Sequence, residues 1–271
     1  MLQEKGLKST AAWAQQNGFS SVEFLQLPNE NWHPGVNDLT HAAQVKKTLR
    51  AFALKTACYS VGINLLQGET AISYLKRNAE LAAELGSPFL HHTLIDWLTL
   101  PPNAPTFEEV FPQILDTAAE IALYCQTLGL TCLYEEQGLY FNGHTNFGNF
   151  FREMKKRCQN VGVCGDFGNI LFVDESPTDF FKEFCADIQH VHLKDYQRTF
   201  SKSDAPEQEG WLQTKNGAFL KDVPLGEGII DVPACFQILR EQNYQGVFSL
   251  ELIDPTVNNP IAMQWIKKLS P

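Results

Sequence analysis

His190-Val191-His192-Leu193-Lys194-Asp195-Tyr196-Gln197-Arg198 gathers two histidines, a lysine, an aspartate and an arginine directly after the apolar start of a strand-like run at Ile188. A buried strand that stops on such a cluster either runs out into solvent or presents the charged groups to something bound. What neighbouring strands do at their ends decides between these. Three other strand-like runs also finish on a carboxylate: Thr131-Cys132-Leu133-Tyr134 on Glu135, Val161-Gly162-Val163-Cys164-Gly165 on Asp166, and Val247-Phe248-Ser249-Leu250 on Glu251.

Outward from that stretch the chain alternates. Strand-like runs fall at 21–27, 56–63, 89–95, 131–135, 161–166, 188–193 and 247–252. Helical spacing of apolar residues, with capping and stop signals, occupies 9–18, 38–52, 69–85, 107–128, 146–157, 178–186, 232–242 and 261–269. Parallel strands need crossover connections, and continuous strand-helix alternation supplies them. No composition break divides the 271 residues, so the expectation is one domain over 1–271, an α/β chain of the (β/α)8 (TIM) barrel type. An open doubly wound sheet is disfavoured because no strand is followed by G-x-G-x-x-G or by G-x-x-x-x-G-K-[ST]. Only the short polar Met1–Gly6 stretch precedes the first helix, so seven barrel strands are predicted, with the first one lacking. Its unpaired neighbours would be covered by a partner chain or by the N-terminal residues, and a homo-oligomer is expected.

The segment 196–228, after the strand ending at His192, is too long for a bare connection. Asn216-Gly217 between Trp211–Thr214 and Ala218–Leu220 predicts a small hairpin there, acting as a lid or an oligomer contact.

Composition excludes several classes. A formal charge of −10 repels nucleic-acid phosphates and anionic membrane surfaces, and no run of 18 apolar residues or basic apolar leader is present. Seven scattered cysteines without a C-x-x-C pair read as reduced core thiols, so a cytoplasmic protein is expected, with no nucleic-acid or membrane partner.

Parallel barrels carry their chemistry at the C-terminal strand ends. Singly, Glu135, Asp166, His192 and Glu251 each have an ordinary explanation as a solvated, capping or hydrogen-bonding residue. Together, three carboxylates converging on one end would repel one another, and a divalent cation is the usual device that keeps them ionised. The mixed oxygen and nitrogen set suits one Mn²⁺, Mg²⁺ or Co²⁺ ion, and Zn²⁺ is also compatible.

The same strand ends, "EEQG" at 135–138, "GVCGDFGN" at 162–169, "HVHLKD" at 190–195, "PLGEGIID" at 224–231 and "GVFSLE" at 246–251, resemble the xylose-isomerase-like barrels grouped as sugar phosphate isomerases/epimerases. The resemblance extends from the first helix to Glu251 and is specific for fold and metal site. It implies that Glu135, Asp166, His192 and Glu251 are the metal ligands. It also implies that Glu135 and Glu251 shuttle a proton at a carbon beside the carbonyl of a small sugar or sugar derivative, through a metal-stabilised enediolate. The expected activity is therefore a metal-dependent sugar isomerase or epimerase. Alternatives are a dehydratase of a cyclic polyol ketone of the inosose type, a non-catalytic sugar-binding barrel and, least favoured by the charge, an apurinic-site endonuclease.

The chain departs from the family's ketose 3-epimerases, which carry a His three residues after the Asp ligand and a second Glu six after the first; here those positions hold Asn169 and Phe141. The Arg six after the His ligand is present as Arg198. Candidate substrate contacts are thus Arg198, Lys194, His91, His92, Asn169 and Trp97, each also explicable as a surface or packing residue. His91 and His92 alternate, so one faces inward and the other away. Trp32 and His33 are further candidate walls, Asn142 a candidate amide contact, and Asp195 a candidate support for Lys194 or Arg198. Glu136 would face away from Glu135.

Overall fold

The computed structural model describes residues 6–27, 36, 38–95, 97–206 and 209–269. In chain order the elements are α1 (Leu7–Gln16), β1 (Ser21–Gln26), α2 (Leu39–Ala51), β2 (Lys55–Val61), α3 (Glu69–Leu85), β3 (Phe89–His92), α4 (Phe107–Thr127) and β4 (Thr131–Glu135). There follow α5 (Gly143–Arg157), β5 (Val161–Asp166), α6 (Pro177–Phe184), β6 (Ile188–Leu193), β7 (Asp195–Thr199), β8 (Leu212–Gln213), β9 (Phe219–Val223), α7 (Val232–Glu241), β10 (Val247–Leu250) and α8 (Pro255–Leu269). The main sheet has seven parallel strands in the order β1-β2-β3-β4-β5-β6-β10. This is TIM-barrel topology short of one strand, as the sequence predicts, and no strand precedes α1 among the described residues. Trp32 and His33 lie outside those residues.

The chain forms two compact units: Met1–Ile95 with Thr106–Tyr134 and Phe150–Gly162, and Asp96–Pro105 with Glu135–Asn149 and Val163–Pro271. In the first, α3 buries Ile72, Leu75, Ala79 and Ala82, a three-and-four spacing that gives it one apolar face. It ends at Gly86, whose φ of 78° suits a residue without Cβ. Helix α4 begins with a capping box between Thr106 and Glu109. Tyr59 on β2 donates to Asn78 Oδ1 of α3 at 3.0 Å, satisfying a hydroxyl inside the core.

In the second unit an aromatic cluster fixes helices to strands. Phe167 meets Phe181 of α6 at 4.9 Å and Phe236 of α7 at 5.6 Å, and Phe236 meets Phe248 of β10 at 4.9 Å. Gly165 on β5 makes room for this, since a Cβ there would lie 2.9 Å from the Phe181 ring.

Three details differ from the sequence reading. The expected hairpin is present, β8 pairing antiparallel with β9 across Asn216-Gly217 with Leu212 opposite Leu220, but β7 adds a third strand on the other edge of β9 with Asp195 opposite Val223. Strand β3 stops at His92, where His92 Nδ1 already pairs with the Thr93 carbonyl at 2.9 Å. Helix α8 begins six residues earlier than expected and carries Pro260 inside it rather than before it.

Candidate metal centre

The second unit brings Glu135, Asp166, His192 and Glu251 together. Asp166 of β5 stands opposite His192 of β6, and Ser249 of β10 stands opposite His192 on the other side. Glu251, two residues beyond Ser249, keeps its face by period-2 alternation, and its N–H donates to the Leu193 carbonyl at 3.0 Å. One ligand atom from each of the four lies within 4.8 Å of the others. His192 Nδ1 is 2.7 Å from Glu135 Oε1 and 3.7 Å from Glu251 Oε2. Glu135, Asp166 and His192 are buried, whereas the Glu251 side chain is 47% exposed, so one carboxylate of the set faces outward.

Lys194 completes the cluster. Its Nζ lies 2.6 Å from Glu251 Oε2, 3.1 Å from Asp166 Oδ2 and 3.2 Å from Asn169 Oδ1. Burial alone would lower the lysine, but the Asp166 and Glu251 charges outweigh it and hold the ammonium well above the ordinary range. Burial pushes Asp166 up to about 7, against the pull of Lys194 and with the repulsion of Glu135 and Glu251. Asp166 Oδ1 accepts from the N–H groups of Gly168 and Asn169, both at 2.7 Å. Its Oδ2 is fully buried and accepts no aligned hydrogen bond among the described residues; the contact with Lys194 is ionic only. A buried carboxylate oxygen open to a further partner, two more carboxylates and an imidazole form a donor set that fits a divalent cation.

Glu136 supports the set from behind. Its carboxyl is fully buried and raised well above the usual range by burial, then by Asp166 and Glu135, and its Oε1 accepts from the Asp166 N–H at 2.9 Å. Cys164, two residues before Asp166 on β5, reads from sequence as a plain core residue, yet it stands with Glu135 and His192, ligand atoms within 4.8 Å. His190 lies against His192, ring centroids 5.3 Å apart, and its Nε2 is 3.0 Å from Ser249 Oγ.

The remaining expected site residues make contacts of their own. Arg198 is exposed on β7 with its guanidinium 5.2 Å from the Phe200 ring centroid. Asn142 Nδ2 donates to the carbonyls of Gly138 and Asn169, and its Oδ1 accepts from the Gly143 N–H, which uses its amide within the fold. Trp97 packs at 5.8 Å on Tyr140. In the first unit, His91 Nδ1 is 3.0 Å from Ser60 Oγ, and His92 is wholly buried edge-on to Tyr134 at 5.4 Å. Asp195 supports neither Lys194 nor Arg198. Its carboxylate instead accepts from the N–H groups of Tyr196, Gly226, Gly228 and Ile230 at 2.9–3.2 Å.

A family model described as xylose isomerase-like TIM barrel matches residues 11–269. An inosose dehydratase of Bacillus anthracis is 34% identical over 138 residues, 47% of this chain and 45% of that enzyme, so the match spans less than half of that relative. Inosose dehydratase 1 of Bacillus cereus is 26% identical over 230 residues, 78% of this chain and 73% of the enzyme. Two solved structures share the fold. A xylose isomerase-like TIM barrel protein from Mycobacterium smegmatis in complex with magnesium has a TM-score of 0.73 at 16% identity, covering 97% of this chain and 87% of that one. The 3-keto-D-glucoside 4-epimerase from E. coli has a TM-score of 0.71 at 16% identity, covering 97% and 94%. No helix among the described residues is long and apolar enough to cross a membrane.

Proposed function

The chain belongs to the xylose isomerase-like TIM barrel family, and from that premise we propose that it is a divalent-cation-dependent isomerase or epimerase, moving a proton at a carbon beside a carbonyl of a sugar or sugar derivative. The observation that carries this reading is the convergence of Glu135, Asp166, His192 and Glu251. These four would hold one Mn²⁺, Mg²⁺, Co²⁺ or Zn²⁺ ion, which supplies Lewis-acid stabilisation of negative charge on substrate oxygens.

The chain's own groups then divide the work. Glu251, half-exposed, is the carboxylate a substrate carbon can approach, and it takes the proton. Glu135 ends β4 and Glu251 follows β10, on either side of β6 in the sheet, and a 2.7 Å contact with His192 Nδ1 fixes Glu135, so we assign it to act from the opposite side. Lys194, 2.6 Å from Glu251, is placed to donate to a substrate oxygen as the proton leaves carbon. Asn169 Nδ2 is buried without a hydrogen-bond partner among the described residues and would donate to a hydroxyl. Return of the proton to the same carbon from the other face is epimerisation; return to the neighbouring carbon is isomerisation.

A second reading, loss of water from a cyclic polyol ketone, is favoured by one observation: the relatives aligned over 78% of this chain are inosose dehydratases. The chemistry begins with the same proton abstraction, after which a hydroxyl leaves instead of the proton returning. Metal analysis of the purified protein, followed by proton exchange in D₂O with ketoses, aldoses and inosose, tests both. Exchange without loss of water supports the first reading and exchange with loss of water the second. No bound metal and no exchange with any substrate would discard both.

A further inference from the structure

Two ligand sets share Glu135 and His192. One is completed by the carboxylates of Asp166 and Glu251, the other by the thiol of Cys164; within each set the ligand atoms lie within 4.8 Å of one another. Cys164 and Asp166 are two apart on β5 and share a strand face, Cys164 opposite His190 and Asp166 opposite His192. The thiol therefore sits one residue layer deeper than the carboxylate. Glu135, Cys164 and His192 are all buried, so a cation held there would be surrounded by protein.

The two sets differ in the cations they suit. Carboxylates with one imidazole and open positions favour hard ions that keep water and substrate oxygens. One sulfur, one nitrogen and one oxygen, with a fourth position open, match the tetrahedral preference of zinc-like ions and the affinity of soft ions for thiolate. We propose that this protein holds a soft-cation mode at the base of its centre, in which Glu135, Cys164 and His192 bind Zn²⁺ or Cd²⁺. The metal–sulfur bond forms as the thiol proton leaves to solvent. Because the modes share two side chains, a soft ion in the deeper set excludes Mg²⁺ or Mn²⁺ from the outer one. The inference rests on the reading of this cluster as a cation centre, and it adds a ligand and a selectivity to it.

Cobalt titration of the full chain separates the cases, since Co²⁺ reports both coordination number and thiolate ligation in its absorption spectrum. The wild-type protein is expected to show intense tetrahedral bands with a near-ultraviolet thiolate-to-cobalt charge-transfer band. Cys164→Ser should bind Co²⁺ with weak bands and no charge transfer, keep its Mn²⁺ affinity and lose Cd²⁺ affinity by at least about tenfold. Cys164→Ala, checked for native thermal unfolding, guards against a variant that fails to fold. Cobalt bound without charge transfer in the wild type, or charge transfer that persists in either variant, overturns the thiol mode and leaves the oxygen-rich centre standing. Absence of cobalt, manganese and cadmium binding overturns both.

Discussion

Lys194 Nζ lies 2.6 Å from Glu251 Oε2 and 3.1 Å from Asp166 Oδ2, so one ammonium neutralises carboxylates from two different strands. It holds the position that a divalent cation would compete for. Lys194→Gln removes the charge that opposes the burial of Asp166, so its carboxyl is raised further and takes up a proton, and without added metal the variant should lose about 1–3 kcal/mol, the half-exposed Glu251 adding little. Its affinity for Mn²⁺ should rise. Urea unfolding with and without chelator, paired with a manganese titration, checks both; unchanged metal-free stability would show that the ion pair is incidental.

Glu251→Gln keeps the side chain's shape and removes its capacity to take a proton. Deuterium incorporation from D₂O should slow by about 10²–10⁴-fold. Because Glu251 is half-exposed, stability should change by less than about 1 kcal/mol. Undiminished exchange would move the base to another residue.

Asp195 is fully buried and accepts four backbone N–H bonds. Asp195→Ala leaves those donors without their acceptor, and a loss of about 3–5 kcal/mol is expected in denaturant unfolding. Gly228→Ala should be comparably harmful, since its Cβ would collide with Asp195 Oδ1. Hydrogen exchange at 224–230 should accelerate in both variants; protection equal to wild type would contradict the role.

Burial lowers His92 from 6.5 to about 4. Between those values the unfolded chain takes up a proton that the folded one refuses, so stability falls as the pH drops from about 6.5 to about 4. One such group accounts for about 3 kcal/mol across that window. His92→Gln should flatten this part of the pH–stability profile relative to wild type. Parallel profiles for the two proteins would mean that His92 is protonated in the folded state.

Strand ends are the most legible part of the sequence. The runs 131–135 and 161–166 are mostly apolar up to an abrupt carboxylate, and 188–193 alternates with His190 and His192 on one face; these patterns mark the strands and the face each candidate residue takes. Roles of the residues just beyond are harder to read. Asp195 sits in a charge cluster that suggests side-chain partners, whereas three of its hydrogen bonds go to backbone N–H groups more than 30 residues later, which no local spacing encodes. Strand β7 gives no periodic apolar signal because four of its five residues, Asp195, Gln197, Arg198 and Thr199, are polar. Cys164 looks like a small core residue because strand periodicity gives the face but not which other strands point at it. Arg198 matches a family position by count from His192, yet it lies on the exposed side of β7, where its guanidinium meets Phe200.

The Asp195 cradle binds the first residue of the long excursion, Tyr196, and the residues at its close, Gly226, Gly228 and Ile230. A single side chain thus works as a clasp, and the loop between its jaws behaves as a cassette. Exchanging 197–225 for a segment of different length and chemistry, with Asp195 and Gly228 left in place, should leave the seven-stranded parallel sheet untouched, because none of its strands lies in that range.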